Sequence, residues 1–355
     1  MAYRHLKVQS RFAKEPFSLT DLNQIPEATF QQFPPKHDSR LVVNPESELY
    51  STIEMKKRDG LTRYISHPNK RLREFQKEVL VGFLSRADLV HESAYAYVRG
   101  RSSVQCAEVH REAKWILKVD IEDFFHSIDN SQVLWELQRR GVSKERAKNL
   151  AHLLTRSFET FEGRKPARAG LKRFQTQHRF LPQGSPTSGA ISNLVLFDFD
   201  EEMARHAKAF GLTYSRYSDD LIFSSPNKFE RPAAEKALQR IIKSMKVLGF
   251  RPNQSKTRII PPGARLQVLG VLVGGGRLRL PKIERKRVDT HLWAIDKFGF
   301  HEHRKKIGSQ SEYSLLNSIN GYLTWAHSVD PEWAGPRQES LVALARKQLG
   351  EVTES

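Results

Sequence analysis

Tyr217-Ser218-Asp219-Asp220 sets two carboxylates side by side between two apolar, strand-like runs, residues 212–216 and 221–224. Like charges this close repel, so a positive partner is expected to offset them. A divalent metal is the commonest solution. A third carboxylate, Asp120, ends another strand-like run, Trp115-Ile116-Leu117-Lys118-Val119. Three carboxylates on adjacent strand ends can hold two metal ions about 3.5–4 Å apart, as used for in-line phosphoryl transfer. An Asp-Asp turn by itself is more often just a solvated turn. The balance shifts because Asp120 is followed by Ile121-Glu122-Asp123-Phe124-Phe125, and because Leu181-Pro182-Gln183-Gly184-Ser185-Pro186 lies between the two acidic elements.

The elements that must position these groups can be read from periodicity. Residues 49–53 and 62–65 read as strands around Lys57-Arg58-Asp59-Gly60, a hairpin with Asp-Gly at its turn. Leu72, Phe75, Val79, Leu80 and Phe83 recur at helical spacing and predict a helix over 71–86. A second helical stretch is expected over 131–157. Ser185 and Pro186 suit the cap and first position of a helix that runs on to Gly211. Another helix is expected over 233–248, a short strand over 268–273, and a mostly helical tail over 281–350. Strands with interleaved helices, then a helical tail, give an α+β class, with an antiparallel sheet at the Asp219–Asp220 hairpin.

Lys and Arg number 58 against 40 acidic residues, a formal net charge of +18. A surplus this large favours a polyanionic partner, nucleic acid first. Two segments concentrate it, 156–180 and 277–306; a solvated face is the competing reading for each. The single cysteine, Cys106, leaves no internal disulfide and suits a reducing compartment. The start carries no apolar leader and no run of about 18 apolar residues occurs, so a cytoplasmic protein with no membrane partner is expected.

In motif order the chain resembles the reverse transcriptases over roughly residues 49–330. The resemblance implies a right-hand polymerase fold with fingers, palm and thumb, an antiparallel palm sheet and a helical thumb. It makes Asp120 the first catalytic aspartate, and Asp219 and Asp220 the pair of the Tyr-x-Asp-Asp box. Here x is Ser218, where Ala or Met is more usual. Asp120, Asp219 and Asp220 would hold Mg²⁺, with the Ile121 carbonyl assisting. Arg63, Gln183 and Gly184 would bind the nucleotide, and Lys256 would donate a proton to the leaving pyrophosphate. Phe125 would block a ribose 2′-hydroxyl and so favour dNTPs; a plain core aromatic is the alternative.

Within that family the bacterial retron reverse transcriptases are the nearest match. Cys106-Ala107-Glu108-Val109-His110 is similar to the retron signature Asn-Ala-x-x-His, and Val268-Leu269-Gly270 to Val-Thr-Gly, each with one departure. The resemblance gives His110 a contact with RNA, against the reading of a core histidine. The positive surplus over 277–306 makes Arg285, Lys286 and Arg287 expected contacts to RNA from the thumb, against a solvated helix face. The expected divisions are an N-terminal extension at 1–45, fingers at 46–118 and 131–180, palm at 119–130 and 181–275, and an RNA-binding thumb at 276–355. The implied activity is reverse transcription of a cognate structured non-coding RNA, in anti-phage defence. Its RNA–DNA product and a toxin or effector protein would be further partners. A non-retron defence reverse transcriptase, an RNA-templated RNA polymerase and a catalytically idle RNA-binding module stay open.

Overall fold

The computed structural model describes residues 22–25, 27–30, 49–56, 62–157 and 179–350. The Asp59-Gly60 turn and most of the basic segment at 156–180 lie outside the described residues. Ahead of the first strand, Leu22 and Ile25 are fully buried in the main core, and a short helix α1 spans Glu27–Phe30.

Strands β1 (Tyr50–Lys56) and β2 (Thr62–Pro68) form an antiparallel ribbon, longer than the periodicity implied, with Met55 opposite Arg63. A two-stranded ribbon is marginal alone and needs a cover. Helix α2 (Lys70–Val79) follows it directly, capped by Asn69, whose side chain accepts from the Leu72 amide at 2.8 Å. The regular helix stops earlier than expected. It widens into a π-type turn over Leu80–Leu84, closed by the Ser85 amide on the Leu80 carbonyl. The extra residue in the turn keeps both Phe83 and Leu84 on the buried side and leaves Val81 in solvent.

Helix α3 (Ser103–Glu108) leads to β3 (Trp115–Asp120). The stretch over 131–157 is two helices rather than one, α4 (Asn130–Arg139) and α5 (Lys144–Leu154). Asp129 and Gln132 cap α4 reciprocally, and the Val142 amide returns to the Leu137 carbonyl to end it. Two short strands, β4 (Arg156–Ser157) and β5 (Arg179–Phe180), then pair.

The helix expected from 185 to 211 is likewise divided, into α6 (Ser188–Val195) and α7 (Phe197–Ala209). Ser185 does not cap it, because the helix begins only at Ser188; the Ser185 hydroxyl donates to Gln76 Oε1 at 2.9 Å and accepts from the Thr187 amide at 3.4 Å. Inside α6 the Ser192 hydroxyl donates back to the Gly189 carbonyl, a local bond that bends helices. Strands β6 (Thr213–Tyr217) and β7 (Asp220–Ser225) form the acidic hairpin; α8 (Arg231–Val247) and β8 (Arg258–Ile260) follow. The apolar run at 268–273 is no single strand. It folds into a small hairpin of β9 (Gln267–Val268) and β10 (Val271–Leu272), turning at Leu269 and Gly270 with φ of +47° and +90°. Positive φ at both turn residues matches a tight hairpin to strand twist.

The central sheet has strand order β6-β7-β3-β8, antiparallel throughout. Period-two alternation sends its two faces to different cores. Leu117, Val119, Leu221, Phe223 and Tyr214 pack into the main core with α2 and α4 to α8. Ile116, Ile222 and Ile260 face a second core, which includes Cys106, Ala107 and Val271. Asp120 lies on this second face, two residues beyond Lys118. The tail forms three packed helices, α9 (Lys282–Ile307), α10 (Glu312–His327) and α11 (Pro331–Leu349). Leu292, Ile295, Phe300, Ile319, Leu323 and Leu341 give them a core of their own. No helix among the described residues is long and apolar enough to cross a membrane.

Candidate active site

Asp120 closes β3 and stands directly across the sheet from Asp220, the first residue of β7. Asp219 occupies the turn beside them, and its carbonyl accepts from the Ile121 amide at 2.9 Å. The three carboxylates expected to act together are therefore neighbours in space, although about 100 residues separate them in sequence. Ile121 bridges to Pro252, yet that bridge uses the Glu122 amide and the Asp120 carbonyl. The Ile121 carbonyl takes no part in it.

Lys256 joins the group by a turn that hangs from the same strand. The Asn253 amide donates to the Asp120 carbonyl at 2.7 Å, and the Lys256 and Thr257 amides fold back onto the Asn253 carbonyl. This puts Lys256 Nζ 2.8 Å from Asp120 Oδ2. Lys118 Nζ lies 3.5 Å from Asp220 Oδ1. Burial pushes the Asp120 carboxyl above its ordinary value; the Lys256 bond opposes this, and the charges of Asp219 and Asp220 add to it. Burial likewise raises Asp219, with Asp220 adding to it. Partial burial pulls the Lys256 ammonium down, but its bond to Asp120 and the three carboxylate charges outweigh that and hold it above the ordinary lysine value.

Among the described residues, no three acidic, histidine or cysteine side chains stand together as a ready-made metal cage. Two ammonium groups, Lys256 and Lys118, stand instead against Asp120 and Asp220. The donor set still fits a hard divalent ion. Carboxylate and carbonyl oxygens on adjacent strand ends, under mutual repulsion and partly buried, are what Mg²⁺ takes, with substrate phosphates completing its shell.

A family model described as reverse transcriptase (RNA-dependent DNA polymerase) matches residues 55–273, more than half of the chain. The chain belongs to the reverse transcriptase family. Its central antiparallel sheet, flanking helices and helical tail are that family's right-hand polymerase fold. It is 33% identical to the retron Mx162 reverse transcriptase of Myxococcus xanthus over 79% of this chain and 58% of that one. The figures for the retron Mx65 reverse transcriptase of the same organism are 31%, 85% and 65%. For the retron Ec83 reverse transcriptase of Escherichia coli they are 29%, 92% and 95%. The chain thus spans less than two thirds of the two Myxococcus relatives. Among solved structures, telomerase from Candida albicans with a fragment of telomeric RNA overlays at a TM-score of 0.44 and 12% identity, covering 86% of this chain and 64% of that one. At that similarity the overlay carries no weight.

The remaining candidate residues of this chain divide into near and far. Phe125 sits half-buried in a short turn after Asp123, edge-on to Phe124 at 5.2 Å and 6.1 Å from the ring of Tyr97. Gln183 and Gly184 dock on β2: the Ser66 amide donates to the Gln183 carbonyl at 2.7 Å. Arg63 lies exposed on the same strand. Gly184 has φ +118°, and a Cβ there would come 2.7 Å from both the Ser66 carbonyl oxygen and Ile65 Cγ2. Gly184→Ala is therefore expected to destabilise the fold by about 1–3 kcal/mol, from strained backbone and a displaced loop. A thermal melt within 1 °C of wild type would contradict this.

His110 lies in the second core, 1% exposed. Its Nε2 meets the Ser215 hydroxyl and its Nδ1 the Ser224 hydroxyl, both at 2.7 Å, and Cys106 Sγ meets the same Ser215 at 3.2 Å. Burial pushes its pKa down to about 3. His110 is a neutral tie between the two strands of the acidic hairpin, with both ring nitrogens occupied, and the RNA contact expected of it is not available. Arg285, Lys286 and Arg287 lie on α9, against the third core. Arg285 is held by Asp330 and lies over Trp333, while Arg287 pairs with Glu284 at 2.9 Å and lies over Tyr322. Lys286 is exposed, as are Arg277, Arg279, Lys282, Lys297, Lys305 and Lys306.

Sequence reasoning did not single out Lys118, Arg216 and Asp200, or Tyr97. Lys118 had a signal, since two residues before Asp120 on a strand is the same face. Arg216 had one too, as a charge within an otherwise buried strand. It is fully buried and grips Asp200 of α7 at 2.8 and 2.6 Å, Asn193 at 3.0 Å and the Ser218 carbonyl at 3.3 Å. The Tyr214 hydroxyl donates to the same Asp200 at 2.7 Å.

Proposed function

We propose that this chain is an RNA-directed DNA polymerase of the retron type, copying a structured non-coding RNA as part of a defence against phage. The observation that carries the reading is the convergence of Asp120, Asp219 and Asp220 on neighbouring strand ends, flanked by Lys118 and Lys256. The similarity to several retron reverse transcriptases supports the subtype and, through it, the RNA template and the defence role. In this reading fingers (46–118, 131–180), palm (119–130, 181–275) and thumb (276–355) enclose an RNA–DNA duplex. An accessory effector protein belongs to the same proposal.

Asp120, Asp219 and Asp220, with the Ile121 carbonyl, would hold Mg²⁺. Such ions lower the pKa of the primer 3′-hydroxyl and neutralise the triphosphate and the leaving pyrophosphate. Lys256 Nζ holds a proton at the site and delivers it to the pyrophosphate oxygen as that group departs. Lys118 keeps Asp220 compensated between turnovers. Arg63 supplies a charge for the nucleotide phosphates, and the Gln183–Gly184 loop walls the pocket. The exposed cations of α9, Lys286 and Arg287 among them, grip RNA through its phosphates.

Phe125 excludes the ribose 2′-hydroxyl. Phe125→Val is expected to raise ribonucleotide use relative to dNTPs by about 10- to 200-fold, the discrimination one apolar wall can supply. Single-nucleotide addition with matched dNTP and rNTP measures it; an unchanged ratio would mean the ring is only core. The reading as a whole is tested by primer extension on RNA with Mg²⁺, together with sequencing of the nucleic acid that co-purifies. Template-dependent dNTP incorporation and one recurrent RNA joined to DNA are expected. Equal use of rNTPs by the wild type would favour an RNA polymerase instead.

A further inference from the structure

We infer that Tyr97 is a specificity-determining residue of the nucleotide pocket, its ring bracing Phe125 and its hydroxyl holding Ser218 of the acidic turn. The inference rests on the reading of Phe125 as the sugar gate.

Tyr97 is placed by an unusual amount of structure for a residue in a loop. Its φ is +62°, a left-handed conformation uncommon for an aromatic side chain. The segment just before Tyr97 is pinned to β6 and to α6. The Arg216 amide donates to the Ser93 carbonyl at 2.7 Å, the Tyr95 amide to the Arg216 carbonyl at 2.9 Å, and Asn193 Nδ2 to the Ala96 carbonyl at 2.8 Å. The ring then lies against α6 at Gly189, where an added Cβ would come 2.4 Å from Tyr97 Cγ. Only a residue without a side chain admits the ring there.

For all this, the residue keeps 54% of its surface exposed. A core aromatic would not be half in water, and an incidental surface aromatic would not be locked at positive φ on a glycine shelf. The ring sits between two groups that matter. On one side the Phe125 ring lies at 6.1 Å and 55°. On the other, the Tyr97 hydroxyl meets the Ser218 hydroxyl at 3.0 Å. Ser218 itself has φ +59° and immediately precedes Asp219. Here the box carries a serine where alanine or methionine is more usual, and its hydroxyl meets Tyr97 while also hydrogen-bonding the neighbouring Asp219 carboxylate.

The two contacts separate by substitution. Tyr97→Phe and Ser218→Ala each break the hydroxyl pair while keeping the ring. Each is expected to lower kcat for dNTP addition by about threefold to tenfold, the size of one neutral hydrogen bond. The double variant should lose no more than the larger single loss, and the dNTP/rNTP ratio should hold. Tyr97→Ala removes the brace, and the ratio should fall by about tenfold, chiefly through a lower KM for rNTPs. Should Tyr97→Ala melt below the assay temperature, Tyr97→Leu, which keeps bulk on the shelf without a flat ring, carries the same expectation. If Phe125→Val relaxes sugar choice and the Tyr97 variants do not, the inference is wrong and the gate stands. If neither relaxes it, the gate reading fails and takes this inference with it. Fully additive losses in Tyr97→Phe and Ser218→Ala would refute the hydroxyl link.

Discussion

Asp219→Asn is expected to lower nucleotide addition at least about 10³-fold, a loss of roughly 4 kcal/mol of the several that a metal site supplies to phosphoryl transfer. The fold should not suffer. Burial and the Asp220 charge hold the Asp219 carboxyl above its ordinary value of 3.8. The folded state therefore binds more protons than the unfolded state between 3.8 and the raised value, and stability falls as pH climbs through that window. At neutral pH the wild-type carboxylate costs stability, and an amide in its place removes that cost. Asp219→Asn should therefore raise the melting temperature of the metal-free protein at pH 7, with the gain shrinking as the pH is lowered toward 4. Added Mg²⁺ should stabilise wild type by mass action and the variant less. Primer extension and paired melts with and without Mg²⁺ measure all three. An equal Mg²⁺-induced shift in both proteins would remove Asp219 from the metal ligands. The proposed defence role carries the further expectation that cells with the Asp219→Asn variant at the native locus are no better protected against phage than cells lacking the gene.

Asp200→Ala is expected to cost about 3–5 kcal/mol, because it leaves the Arg216 guanidinium charged and unpaired in a dry core. Arg216 and Asp200 have no exposed side-chain surface. Burial opposes the arginine charge, and the Asp200 carboxylate more than restores it. The Tyr214 hydroxyl loses its acceptor in the same step. Against a total stability of about 5–15 kcal/mol, such a loss would unfold much of the protein at 37 °C. Replacing both partners by apolar residues, Asp200→Leu with Arg216→Met, should cost less than Asp200→Ala alone, since no charge is stranded. That double variant still loses the hydrogen bond from Arg216 to the Ser218 carbonyl, so its kcat should stay low while its stability recovers. Urea unfolding with a parallel activity assay separates the two. An Asp200→Ala unfolding free energy within about 1 kcal/mol of wild type would mean the pair does not anchor the hairpin.

The three aspartates were readable because each sits at a strand end marked by apolar alternation and a turn, and such short-range patterns survive in one dimension. The α+β class and the helical tail were readable for the same reason. Helix lengths were less so. The runs over 131–157 and 185–211 keep helical periodicity through their breaks, because side chains across a bend can still face one core. The turn at Leu269–Gly270 was hidden in an apolar run whose pattern fits a single strand equally well.

His110 shows the limit most clearly. A motif names residue types, and a histidine that contacts RNA and one that ties two serines carry the same letter. Only the packing of α3 against β6 and β7 buries its ring and fills both nitrogens. The Arg216–Asp200 pair and the Tyr97–Ser218 contact are similar: the partners are 16 and 121 positions apart, and no spacing rule reaches across them. Composition and local order thus fixed the chemistry this chain carries: carboxylates for a hard cation, cations for a polyanion. Which charges meet in water and which meet in the dry core was decided by the tertiary structure, because desolvation depends on every neighbour at once and on none in particular along the chain.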